Sequence, residues 1–190
     1  MNLSEVIADF CGRLHEAGIP YLVGGSVASG IWGSPRQTND VDLEIWVNPG
    51  TLATFISACA PPYEVSLHEA TEAVLSKDEF RSIQVMHGEE LLRFDCFLQG
   101  FSPIDEDAYD RSVEVELLPG IQIRVACAEH ILVQKLRWFE LGRQVSERQW
   151  RDIQGIIANS PHLDWKLIHN WSGALNLEEL AQKAQALATN

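Results

Sequence analysis

At 190 residues, 46% hydrophobic and 22% charged, the chain is sized for one domain, or one domain with a small appendage, around a core of its own. Its 14 Lys and Arg stand against 27 Asp and Glu, a formal charge of −13 with no basic run, so binding to duplex nucleic acid is not expected. No apolar run approaches the roughly 20 residues of a membrane span, and the first helical segment carries Glu5 and Asp9 with no cationic lead-in; no membrane association and no secretory signal are expected, and a cytoplasmic location follows.

In chain order, residues 3–17 repeat Val6, Ile7, Phe10, Cys11 and Leu14 at helical spacing, with Asn2 and Glu5 as a capping box and Gly18 as the stop. Pro20 leads into a short strand, Tyr21-Leu22-Val23, which ends at paired glycines. Residues 26–32 are predicted to return as a helix, and Val41–Val47 as a second strand closed by Asn48-Pro49-Gly50. Residues 51–60 read as a helix that Pro61-Pro62 ends. The middle of the chain predicts two hairpins, Phe80–His87 with Leu91–Gln99 and Val113–Leu117 with Ile121–Val125. From Ala128 the texture is helical: Leu132, Leu136 and Phe139 share one face, and Trp150, Ile153 and Ile157 another. Pro161 breaks the run, and 163–187 supplies one or two further helices. The layout is a mixed α/β body over 1–126 and a helical C-terminal extension over 127–190.

Several side chains are expected to be structural. Cys11, Cys59, Cys96 and Cys127 form no CxxC pair and read as reduced residues, three of them in apolar stretches. His68, His87, His130, His162 and His169 show no zinc spacing. Trp138, Trp150, Trp165 and Trp171 are assigned to core packing, with an acceptor or partner groove as the alternative. The run Asp105-Glu106-Asp107 with Asp110 is assigned to a solvated loop.

The chemistry concentrates between Gly24 and Val47. Asp40 and Asp42, two apart at the head of a strand, point the same way and repel unless a positive charge joins them. Hard oxygen ligands of this kind suit Mg²⁺ or Mn²⁺, although Asp-x-Asp also arises as a loop acid beside a strand-end acid. Asp95, in the apolar run LLRFDCFLQ, is costly to bury without a partner. It is assigned as a third metal ligand, with an ion pair to Arg93 as the alternative. Gly24-Gly25-Ser26 lies between a strand and a helix, where backbone N–H groups and a hydroxyl can receive phosphate.

Gly24-Gly25-Ser26, Gly33, Arg36-x-Thr38-x-Asp40-x-Asp42 and the later Asp95 together resemble the DNA polymerase β-type nucleotidyltransferase superfamily over about residues 19–99. The likeness is closest to its small bacterial members, which include AbiEii-type toxins and antibiotic nucleotidyltransferases. Lys135 followed by Arg143, Arg148 and Arg151-Asp152 is similar to the AbiEii C-terminal pattern, except that Gly155 stands where that family often has a second acid.

The resemblance implies an α/β (α+β) nucleotidyltransferase fold, a mixed sheet flanked by helices with a helical C-terminal extension. It implies Mg²⁺- or Mn²⁺-dependent transfer of a nucleoside monophosphate from an NTP to a hydroxyl of a small-molecule, protein or RNA acceptor, with release of pyrophosphate. On this reading Asp40, Asp42 and Asp95 are the catalytic and metal-binding residues. Gly24, Gly25 and Ser26 take the phosphates, and Lys135 reaches the triphosphate or the acceptor, its alternative being a solvated helix lysine. Arg36 and Thr38 either touch nucleotide or shape the loop. The competing function is a nucleotide-binding or regulatory protein of the same fold, in a toxin–antitoxin pair for example.

Overall fold

The computed structural model describes residues 1–100 and 104–188. Helix α1 (Leu3–Glu16) buries Val6, Ile7, Phe10, Cys11 and Leu14 on one face. Its capping box is formed as expected: Glu5 N–H donates to Asn2 Oδ1 at 3.0 Å and Asn2 N–H to Glu5 Oε2 at 2.8 Å. Gly18, at φ +66°, turns the chain into strand β1 (Tyr21–Val23). Helix α2 (Gly25–Trp32) and strand β2 (Asp40–Ile45) follow, then α3 (Leu52–Ala58), β3 (Tyr63–Val65) and α4 (Leu67–Leu75). Strands β4 (Ser82–His87) and β5 (Leu92–Leu98) form the first expected hairpin, and β6 (Val113–Leu118) with β7 (Ile121–Val125) the second. Between them lies α5 (Asp105–Asp110). Four helices end the described chain: α6 (Ala128–Leu141), α7 (Glu147–Asn159), α8 (Trp165–Ala174) and α9 (Glu178–Ala188).

The strands form one seven-stranded sheet in the order β3-β4-β5-β2-β1-β7-β6. The pairs β2–β5 and β1–β7 are parallel and the others antiparallel, so the sheet is mixed as the resemblance implied. Alternation along β2 and β5 sends Val41, Leu43, Ile45, Phe94, Cys96 and Leu98 into the core. The opposite face of the same strands carries Asp40, Asp42 and Glu44 on β2 and Arg93, Asp95 and Phe97 on β5. Helices α6 and α7 pack with α2, and α8 and α9 complete that helical layer.

Residues 63–75 add β3 and α4 to the expected elements. Two expectations fail locally. Phe80 lies ahead of β4 rather than within it. The acidic run is no solvated loop: three carboxylates in the first turn of α5 suit a helix N-terminus, and Asp105 is buried. Gly33 finds its reason here. A Cβ on Gly33 would lie 2.9 Å from the Gly155 carbonyl carbon, so the end of α2 and helix α7 meet backbone to backbone. All four cysteines are free and buried. No helix among the described residues is long and apolar enough to cross a membrane.

Candidate active site

The turn from β1 into α2 sits directly on β2. Gly24 N–H donates to the Asp42 carbonyl at 2.9 Å. Gly25 has φ +53°, and a Cβ there would lie 1.7 Å from Asp42 Oδ2, so only glycine admits the carboxylate. The Ser26 N–H, at the start of α2, acts on the same carboxylate. Ser26 Oγ donates at 2.9 Å to Thr38 Oγ1, which in turn donates at 2.6 Å to Asp40 Oδ1. Thr38 therefore orients Asp40, and the Ser26 hydroxyl is already engaged.

Burial raises the Asp42 carboxyl above the ordinary carboxylate range, and neighbouring Asp40 raises it further. Lys135 pulls it down, Asp95 pushes it up, and the Ser26 N–H pulls it down again, leaving the balance upward. An Asp42 carboxyl in that state marks a site short of positive charge.

Register sets Asp95 opposite Asp42 and Arg93 opposite Asp40. Arg93 Nη2 lies 2.9 Å from Asp95 Oδ2 and 3.4 Å from Asp40 Oδ2. The Arg93 ion pair, which the sequence reading ranked second, is thus present, and no group of three or more His, Cys, Asp and Glu among the described residues is gathered as a metal cage. The donor chemistry nonetheless suits a hard cation. Asp40 and Asp42 share one face, Asp42 is charge-starved, and Asp95 Oδ1 is buried without a hydrogen-bond partner among the described residues. For Asp95 to join them, Arg93 must let go.

The cations expected near phosphate are brought together from distant segments. Lys135 of α6 is buried and donates to Asp152 Oδ2 of α7 at 2.9 Å, so it is not the solvated lysine of the alternative reading. Arg36 Nε approaches the other Asp152 oxygen at 3.4 Å, off the line of a hydrogen bond. Gly24, Gly25, Ser26, Arg36 and Lys135 open onto one cleft with Asp40 and Asp42; Thr38 and Asp95 stand behind it, joined to its acids.

Sequence reasoning missed several residues of that cleft. Glu44 continues the Asp40-x-Asp42-x-Glu44 alternation and lines the cleft, a signal the period-two pattern contained. Its partner His130, fully buried on α6, approaches Glu44 Oε1 at 2.7 Å and gave no local signal. Phe80, Phe97 and Trp138 form an aromatic wall, with Trp138 centroids 5.4 Å from Phe80 and 6.2 Å from Phe97. Trp138 is 39% exposed and departs from the core role assigned to it, whereas Trp171 is buried.

No family model and no curated protein matches the chain. Solved structures do. The antibiotic-resistance factor ANT(2'')-Ia superposes with TM-score 0.60 at 12% identity, covering 96% of each chain. The same protein in complex with adenylyl-2''-tobramycin gives TM-score 0.56 at 14% identity, over 96% of this chain and 97% of that one. An antigenic nucleotidyltransferase-like protein from Paracoccidioides brasiliensis gives TM-score 0.56 at 19% identity, over 98% and 90%. The chain has the nucleotidyltransferase fold.

Proposed function

We propose that this chain is a divalent-metal-dependent nucleotidyltransferase that moves a nucleoside monophosphate from an NTP to an acceptor hydroxyl and releases pyrophosphate. The observation that carries the proposal is the seating of Asp42, beside Asp40, against Gly25 and the Ser26 N–H at the start of α2. Asp40, Asp42 and Asp95 would hold Mg²⁺ or Mn²⁺, which when bound supplies Lewis-acid stabilisation of charge developing at the α-phosphate. The turn at Gly24, Gly25 and Ser26, at the start of α2, would receive the triphosphate, and Lys135 and Arg36, tied together through Asp152, would balance its charge. Thr38 fixes Asp40. The acceptor oxygen attacks the α-phosphorus in line and the bond to the β-phosphate oxygen breaks. Pyrophosphate leaves with that electron pair, and the hydroxyl proton passes to Asp95.

The test is transfer of label from each α-labelled NTP, with Mg²⁺, to small molecules, protein or RNA of a bacterial lysate. Label should appear with the native chain and vanish with Asp42→Asn. Absence of transfer from every NTP, together with NTP binding that survives Asp95→Ala, would sink the enzyme. One observation favours a second reading, a nucleotide-binding or regulatory protein: Arg93 spans Asp40 and Asp95. Transfer lost on Asp42→Asn eliminates it.

A further inference from the structure

Glu44 is a carboxylate the transfer reaction leaves unused. It is 7% exposed, lines the cleft, and sits on the β2 face that carries Asp40 and Asp42, one pleat repeat of roughly 7 Å beyond Asp42. His130 holds its Oε1 at 2.7 Å, while Oε2 is buried with no hydrogen-bond partner among the described residues. Such an oxygen is expensive to leave bare. A donor is wanted there, and none of the cleft's four Lys and Arg side chains supplies it: Lys135 and Arg36 answer Asp152, Arg137 answers Glu79, and Arg148, also in the lining, makes no ion pair with Glu44.

The surroundings specify the donor. Asp105, also buried, accepts from Gly100 N–H at 2.7 Å and adds a second carboxylate to the same cleft. Phe97 faces Glu44 across the strand register, with Trp138 packed on Phe97 and on Phe80. Carboxylate oxygens beside aromatic faces select an organic cation over a neutral hydroxyl, because both the charge and the ring quadrupoles favour it. A bare metal ion would gain nothing from the aromatic wall, and a phosphate would be repelled by the acids.

We propose that Glu44, anchored by His130 and walled by Phe97 and Trp138, receives the protonated amino group of a small hydroxylated amine, the acceptor of this cleft. The word acceptor rests on the transferase reading; the binding of the amine does not. His130 is a positioning residue, since it touches Glu44 and not the ligand. The amine is held one repeat along β2 from the Asp40–Asp42 pair, which leaves a neighbouring hydroxyl to approach the α-phosphorus.

Titration of the full chain, without NTP, with glucosamine and separately with glucose tests this. Glucosamine should bind about ten- to a hundredfold more tightly than glucose, and Glu44→Gln should abolish the preference with an unchanged far-ultraviolet dichroism spectrum. Equal binding of the two sugars, no saturable binding of either, or a preference that survives Glu44→Gln would overturn the proposal. Should Glu44→Gln fail to fold, the Glu44 carboxyl ¹³C resonance of the native chain decides: it should move with glucosamine and stay fixed with glucose, and a fixed resonance under glucosamine overturns the proposal equally. A native chain that binds glucosamine through Glu44 but transfers no label would fault the transferase reading and leave the amine site standing.

Discussion

Lys135 and Arg93 both answer carboxylates around the cleft, yet one is shut in and the other open. The Lys135 and Asp152 side chains are 6% and 7% exposed and lie between two helices. Arg93 is 43% exposed and divides itself between Asp95 and Asp40 along the sheet. A buried ion pair is costly to break from one side, because the surviving charge has neither water nor partner. An exposed pair is cheap, because water replaces it. The C-terminal cation thus belongs to the framework of the cleft, and the sheet cation can be exchanged.

The strongest way to break that contrast is Asp152→Ala. It strands buried Lys135 and removes the partner of Arg36, and it should cost about 3–5 kcal/mol in urea unfolding. Lys135→Met should cost less, since Arg36 still faces Asp152. A loss below about 1 kcal/mol for Asp152→Ala would mean that water reaches Lys135 after all.

The two glycines of the β1–α2 turn sharpen the same point at the acids. Gly25→Ala forces φ +53° on alanine and drives a methyl into Asp42, so it should cost more than about 1 kcal/mol and weaken Mn²⁺ binding measured by calorimetry. Gly24→Ala meets nothing closer than 3.7 Å and has an ordinary φ of −120°, so its stability should change by less than about 0.5 kcal/mol. Equal effects at the two positions would remove the assigned reason for glycine at 25.

A smaller, pH-dependent effect belongs to the Glu44–His130 pair. Burial pushes His130 down, but the charge and hydrogen bond of Glu44, with the charge of Asp105, push it up by more. The folded chain therefore holds this proton more tightly than the unfolded one. That stabilisation is complete below the ordinary value of 6.5 and is lost as pH rises through the raised one. The melting temperature should fall from about pH 6 upward, and Glu44→Gln should flatten the fall.

What the sequence made legible follows from where the signals lie. Asp40, Asp42 and the paired glycines are close in sequence, and period-two alternation alone set the two acids on one face. Asp95 announced itself as a charge inside an apolar strand. Glu44 lies on the same face by the same alternation, but nothing near it in the sequence sets it apart as a site residue. Its partner, His130, lies on a helix beyond the sheet and can be matched only in three dimensions. Asp152 was noticed as half of an Arg-Asp pattern, while its contact with Lys135 depends on how α6 and α7 pack. Acids at 105–107 suit solvent and a helix N-terminus alike, and only the fold shows that they form the first turn of α5.

Arg93→Gln is the gentlest change and bears most directly on exchange. Removing an exposed side chain shared by two acids should cost less than about 1 kcal/mol of stability without metal. Mn²⁺ binding should tighten by up to about tenfold, because a cation entering between Asp40 and Asp95 no longer has to break the two ion pairs. The two quantities should move in opposite directions, stability down and affinity up, which a purely structural arginine would not produce. Unchanged Mn²⁺ affinity with lost stability would make Arg93 part of the framework, like Lys135, and would erase the distinction between the two cations. Tightened binding without loss of fold would mean that Arg93 occupies the place of the metal's charge, ready to leave when the metal arrives.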